Sequence, residues 1–415
     1  MKKLSELNCA CNLIDERVNS LIQDGWTHED ALSFIINYVS ELSGIINSDK
    51  IDNPAIKGYG TQFDNLFDLS NIEDGSLISM TTNQVASLLY SDKDLSFDYA
   101  IIDEASKCRF EDIIISLPRI KHLVLIGDFM QLDPMCPEYG ELSLEEKCVI
   151  SKDKWEALNK SAFSLLLAEQ VKLYENSGFG KSSNISIMKR QYRMNKGIFD
   201  IISPIYSIHK GFELIDEKQK SSNDVLCVNI EGTEKESGTS KKNEAEADSI
   251  ARLMGELYNN AALYKNIKTV GIITGYKAQE RLIKDKLRAI SNNNKEISVQ
   301  IGTFDRFQGR EYDLVIISLV RTKRLGFTSN IRRMNVAFSR AKSHLIVYGN
   351  FDKLYEISLS GSSNENNDEL NYNENEDKFV KKVLIPKLYS MRKTYLSTND
   401  QVRSVINFIK EERNE

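Results

Sequence analysis

Five short runs carry residue types that could do chemistry. In FDYAIIDEAS, residues 97–106, an apolar stretch ends in the carboxylate pair Asp103 and Glu104. The carboxyl end of a buried strand is where open α/β sheets bind ligands. An acid pair there suits nucleotide hydrolysis: one carboxylate holds Mg²⁺ through its water shell, and the other orients and deprotonates the attacking water. The same pair can also simply open a helix, where acids complement the dipole. In HLVLIGDFMQLDP, residues 122–134, a second apolar stretch ends in Gly-Asp and is followed by Gln131. A neutral amide there can touch both a terminal phosphate and a water. In KRQYRMN, residues 189–195, Arg193 offers a planar fork matched to phosphate oxygens, and Gln191 and Tyr192 could contact a base or a ribose.

The last two runs lie further along. IGTFDRFQGREYDLVIISLVRT, residues 301–322, sets a polar loop between two apolar stretches. Thr303 and Gln308 there can bond a nucleic-acid backbone. Gly309 permits close approach, and Glu311 can accept from a ribose hydroxyl or pair with a neighbouring Arg. RRMNVAFSRAKSHLIVYGN, residues 332–350, reads as a helix feeding a strand, with Arg333 and Arg340 about two turns apart on one face. An Arg aimed at a terminal phosphate would stabilise transition-state charge. The same run also fits a solvated basic helix. Residues 306–342 hold nine Lys/Arg against Glu311 and Asp313, a local excess of +7.

These loops need strands to position them. Apolar runs at 76–80, 98–102, 122–126, 225–229, 269–273, 298–302, 313–319 and 344–348 predict strands, and 245–258 and 276–289 predict helices. The runs at 269–273 and 313–319 are nearly continuous in Val, Ile and Leu, as in parallel strands buried on both faces. The alternation of strand and helix predicts an α/β fold with parallel sheets. Residues 1–50 show helical apolar spacing, and 51–75 read as irregular. Residues 231–248 read as a polar surface loop. Residues 364–377 hold six acids and no base, which predicts a disordered linker. Residues 378–415, with nine bases against four acids, read as an appended helical tail.

Taken in order, DEAS, GDFMQLDP, QYRMN, FQGRE and RRMNVAFSRA resemble motifs II to VI of superfamily 1 helicases, with wording similar to the Upf-type 5′→3′ branch. The resemblance spans about residues 76–350. It implies two RecA-like parallel-sheet lobes: a partial first lobe at 76–188 and a second at 189–355. Flanking them are a helical accessory region at 1–75, an acidic linker at 356–377 and a tail at 378–415. It also implies ATP and Mg²⁺ as cofactors and single-stranded DNA or RNA as partner. Asp103 would hold the metal, Glu104 would be the catalytic base, and Gln131 would sense the γ-phosphate. Arg193 and Arg340 would be arginine fingers, and Glu311 would lie near the ribose. Thr81 and Thr82 fall where the family contacts nucleic acid ahead of motif II.

The family also uses a GxxxxGK[ST] loop, whose backbone cradles phosphates while its Lys and Ser/Thr reach the β/γ oxygens and Mg²⁺. No run of the 415 residues matches it. In the nearest lookalike, around Gly180-Lys181-Ser182, position 175 is Glu. Its flanks read as a helix rather than a strand, and it sits in the family's variable connection. Three readings stay open: a helicase or translocase, or the C-terminal portion of one; a non-hydrolysing nucleic-acid-binding module; and a subunit whose phosphate loop comes from another chain.

Bulk properties set the outer bounds. The net charge is −6, so the chain is not a globally basic coat for nucleic acid. The six cysteines form no CxxC pair and only four His accompany them, which speaks against structural zinc and a disulfide framework. No stretch of eighteen apolar residues occurs, and an intracellular, soluble, cytoplasmic protein is expected.

Overall fold

In a computed structural model the described residues are 81, 85, 96–109, 113, 117–134, 161–167, 185–208, 212–217, 224–260, 264, 266–290, 297–360, 374–395 and 397–410. The expected helical region at 1–75, the strand at 76–80 and Thr82 lie outside them. The chain divides into two compact units: residues 1–129 with 133–185, and residues 130–132 with 186–415.

In the first unit β1 (Phe97–Ile102) pairs in parallel with β2 (Ile120–Leu125), in a register that sets Ile102 beside Leu125. Ile102, Leu123 and Leu125 pack with Cys108, Ile113, Leu117 and Ala162. The opposite face carries Tyr99, Ile101 and Val124, exposed at strand period.

The second unit is a six-stranded sheet of order β12-β5-β11-β10-β8-β9, parallel throughout. Its strands are β5 (Val225–Asn229), β8 (Thr269–Thr274), β9 (Ser298–Thr303), β10 (Tyr312–Ser318), β11 (Ala341–Gly349) and β12 (Arg392–Lys393). Parallel strands need cover on both faces, and the residues of β5, β10 and β11 are almost all buried. Leu226, Val228, Val270, Ile272, Leu314, Ile316, Ile346 and Tyr348 face one layer. That layer is formed by α2 (Glu244–Asn259), α3 (Lys277–Arg288) and α8 (Thr398–Lys410). On the other side, α1 (Lys196–Tyr206) and α4 (Ile331–Ser339) pack on each other and on β11. The α/β class with parallel sheets is therefore as the sequence predicts.

Three expectations change. Residues 231–248 are not a loop. They form the hairpin β6 (Lys235–Ser237) and β7 (Ser240–Lys242), turning at Gly238 with a φ of 61°, and then the first turns of α2. Asn243 caps that helix by accepting from the Glu246 N–H. Residues 378–410 are not an appended tail. β12 extends the sheet beside β5, and Val405, Ile406, Phe408 and Ile409 of α8 join the core. The net basic count concealed an apolar stripe, because the charges sit on the opposite face of the same helix. The acidic run ends in helix α6 (Glu374–Phe379), where Glu376 is buried and pairs with Arg332.

Candidate nucleotide and nucleic-acid site

The first unit presents Asp103 and Glu104 on the turn that leaves β1. Ile126 donates to the Ile102 carbonyl and Ala105 donates to the Ile126 carbonyl, so the turn is tied to the end of β2. The Asp103 carboxylate is exposed and accepts from the Glu104 N–H at 2.9 Å. Glu104 holds a φ of 53° and a ψ of 37°, the left-handed region that a residue with a Cβ seldom occupies. Such a conformation costs about 1–2 kcal/mol and is found at functional turns more than elsewhere. Gly127 packs tightly here, since a Cβ would lie 3.0 Å from the Ser106 backbone nitrogen. The chemistry available is an outward carboxylate at a strand's carboxyl end, beside a second carboxylate held in a strained backbone. Thr81 is exposed in this same unit.

The second unit gathers the rest. After β3 (Arg190–Gln191), the QYRMN turn is folded by Gln191 itself. Its Oε1 accepts from the Arg193 and Met194 N–H groups at 3.0 and 2.8 Å, and its Nε2 donates to the Met194 carbonyl and to Asp216. Gln191 is thus committed to shaping the turn rather than to touching a base. Tyr192 beside it is 68% exposed and is available for ligand contact. Arg193 leaves the turn and meets Glu311, Nε to Oε1, at 2.5 Å. Glu311 also faces the Lys342 ammonium at 3.8 Å. Both members of the main pair remain partly exposed.

Arg340 follows the last turn of α4 and is 2% exposed. Its Nε donates to the Val336 carbonyl, Nη1 to the Arg310 carbonyl at 3.4 Å and Nη2 to the Ser339 hydroxyl at 2.9 Å. Nη2 also reaches the Gln131 Oε1 at 3.5 Å. Gln131 is partly buried, and residues 130–132 group with this unit. The Asn335 Nδ2 donates to the Met130 carbonyl at 2.9 Å and to the Tyr206 hydroxyl at 3.0 Å. Arg340 and Glu311 are linked through the chain, since Tyr312 donates its N–H to the Arg340 carbonyl. Gln131, Arg340, Glu311 and Arg193 therefore form one contiguous set.

Thr303 ends β9 opposite Thr274 of β8, at the carboxyl edge of the sheet. Gln308 follows a helical turn at Phe304–Phe307 and is partly buried. Gly309 takes a φ of 73°, which explains its place in the loop. Thr303 and Gln308 share one short loop. Sequence reading missed two buried carboxylates behind this edge. Glu246 accepts from the Ser318 hydroxyl and from the Val320 N–H, and burial pushes its pKa up to about 7. Glu234 accepts from the Thr322 and Lys323 N–H groups and pairs with Arg321. Together they hold the connection from β10 to α4, where Val320 takes a left-handed φ of 71°. Only their spacing from the apolar runs could have marked them, and it is not distinctive.

Strand-end carboxylates and loop-borne arginines on parallel sheets are the hallmarks of nucleotide-handling α/β proteins. Comparison with known proteins narrows the class. Two AAA domain models match, at residues 61–137 and 158–352. Both matches and the relatives below make the chain similar to superfamily 1 helicases. It is 30% identical over 279 residues to an uncharacterized ATP-dependent helicase of Methanocaldococcus jannaschii, covering 62% of this chain and 36% of that protein. It is 25% identical over 348 residues to the DNA replication ATP-dependent helicase/nuclease of Schizosaccharomyces pombe, covering 74% and 22%. With the regulator of nonsense transcripts 1 of Caenorhabditis elegans it shares 27% over 269 residues, covering 60% and 23%. The chain thus spans between about a fifth and just over a third of these relatives' lengths. Among solved structures, an arterivirus nonstructural protein 10 helicase matches at 13% identity and a TM-score of 0.31, over 73% of this chain and 58% of that one. Among the described residues no helix is long and apolar enough to cross a membrane.

Proposed function

We propose that this chain is part of an ATP-driven motor of the Upf-type branch that travels 5′→3′ on single-stranded DNA or RNA. The observation that carries this reading is the Arg340 guanidinium, fixed by three local acceptors and reaching Gln131 at 3.5 Å. A buried guanidinium held next to a neutral amide suits a group that stabilises charge on a terminal phosphate while the amide senses it. Arg193 is the second finger, and Glu311 orients it through their ion pair. The second Glu311 oxygen, which faces Lys342, accepts from a ribose hydroxyl. Glu104 takes a proton from the attacking water.

Asp103 fits Mg²⁺ support, because that ion uses one or two carboxylates and takes its remaining ligands from phosphates and water. When bound, Mg²⁺ neutralises charge on the phosphates. Thr303 and Gln308, with Thr81 and Thr82, contact the nucleic-acid backbone. The proposed hydrolysis needs a phosphate loop from outside these 415 residues, on the same polypeptide or on another chain. Equilibrium binding of a fluorescent single-stranded oligonucleotide over a salt series tests this reading. We expect affinity to fall steeply with salt. Affinity that stays constant from low to moderate salt would contradict it.

A further inference from the structure

Two neighbouring arginines of α4 have opposite environments. Arg332 spends its charge on Glu376. Arg333 has no carboxylate within ion-pair reach among the described residues. Its guanidinium carbon lies 4.4 Å from the centre of the Phe327 ring, and its Nη1 is buried without a hydrogen-bond partner. A guanidinium nitrogen left without an acceptor is costly, unless an acceptor arrives with a ligand. We propose that Arg333, stacked on Phe327, is a phosphate-contacting residue for the nucleic-acid strand, distinct from the nucleotide fingers. The proposal rests on the nucleic-acid-binding reading above.

Its position supports a separate ligand. Arg333 and Arg340 are seven residues apart, so they share a helix face but lie about 10 Å apart along the axis. Arg340 is committed at the Gln131 end of the helix. The Arg333 end lies beside the carboxyl edge of β8 and β9. Phe327 packs on Tyr276, ring centres 5.0 Å apart. A Cβ on Gly275 would sit 2.7 Å from Phe327 and 3.1 Å from Phe304, so the two rings close over the end of β8. The turn that follows Thr303 packs directly against α4. Arg333 is thus close in the fold to the loop whose Thr303 and Gln308 are proposed to bond the same backbone.

The platform is also rigid. The Tyr276 hydroxyl accepts from Arg321, and Arg321 pairs with buried Glu234. Gly326 has a φ of 53° and would place a Cβ 2.5 Å from that hydroxyl. Glu234 also binds the N–H groups of Thr322 and Lys323. A planar cation on a fixed aromatic ring loses little freedom on meeting a phosphate.

The test is oligonucleotide anisotropy over a KCl series on the full chain, with Arg333→Gln, Arg333→Lys and Arg332→Gln, each confirmed folded by thermal melting. We expect Arg333→Gln to reduce the slope of log K against log salt by about 0.7, the loss of one single-strand phosphate contact, and to weaken binding several-fold at low salt. Arg333→Lys should keep most of the slope, and Arg332→Gln all of it. An unchanged slope in folded Arg333→Gln would overturn the proposal. So would weakened binding of a fluorescent ATP analogue with oligonucleotide binding intact, which would reassign Arg333 to the nucleotide. If the wild-type chain binds no oligonucleotide at any salt, the underlying nucleic-acid reading fails instead.

Discussion

Arg193 and Glu311 meet at 2.5 Å although they stand 118 positions apart in the chain, one on the QYRMN turn and the other on the FQGRE loop. Both side chains keep over a third of their surface exposed. Half-exposed pairs stabilise little, since solvent screens them and two long side chains must be ordered. The pair therefore orients a guanidinium rather than stapling the fold. A double-mutant cycle of Arg193→Ala and Glu311→Ala, read by urea denaturation, should give a coupling below about 1 kcal/mol. A coupling several times larger would make the pair structural.

Asn335 should behave in the opposite way. It is fully buried and holds the Met130 carbonyl and the Tyr206 hydroxyl. Asn335→Leu removes both of these buried bonds, so the denaturation midpoint should fall by the equivalent of about 1–3 kcal/mol. Because Gln131 is the next residue after Met130, the segment carrying it should also loosen. Hydrogen exchange at 130–132 measures that directly, and unchanged protection would contradict the role.

Backbone strain at Glu104 gives a third expectation. A glycine has no Cβ to object to a φ of 53°. Glu104→Gly should therefore stabilise the first unit by up to about 1 kcal/mol, while removing the proposed base. A clear destabilisation would show that the Glu104 side chain holds the turn together.

The fourth expectation concerns pH. Burial raises the Glu246 pKa to about 7 from 4.5. The unfolded chain therefore releases this proton at lower pH than the folded chain does. By linkage, the Glu246 contribution is most favourable below about 4.5 and is lost as pH rises toward about 7. Glu246→Gln should flatten the decline in stability across that interval relative to the wild type. Parallel wild-type and variant profiles would show that Glu246 does not titrate there.

Much of this was legible in the sequence, for identifiable reasons. Strands β8 and β10 announce themselves because a parallel strand covered on both faces must be apolar almost throughout. The motif order pointed to Arg193, Glu311, Gln131 and Arg340, and the fold brings these four into one set. Residue type alone could not separate ligand groups from structural ones. Gln191 suits a base contact, yet its bonds fold its own turn and tie it to Asp216. Asn335 stands among the arginines of its motif, yet it is an internal link. Helix α8 was hidden because a charge count sums over both faces of a helix, whereas Val405, Phe408 and Ile409 depend on one.

The most direct measurement is ATP hydrolysis by the purified 415-residue chain with saturating single-stranded oligonucleotide, beside its Glu104→Gln variant. Background rates are expected for both, because the chain carries the proposed acid, sensor and finger residues but no GxxxxGK[ST] run. Robust, oligonucleotide-stimulated hydrolysis abolished by Glu104→Gln would contradict this expectation, and would mean that these residues contain a phosphate site of another kind.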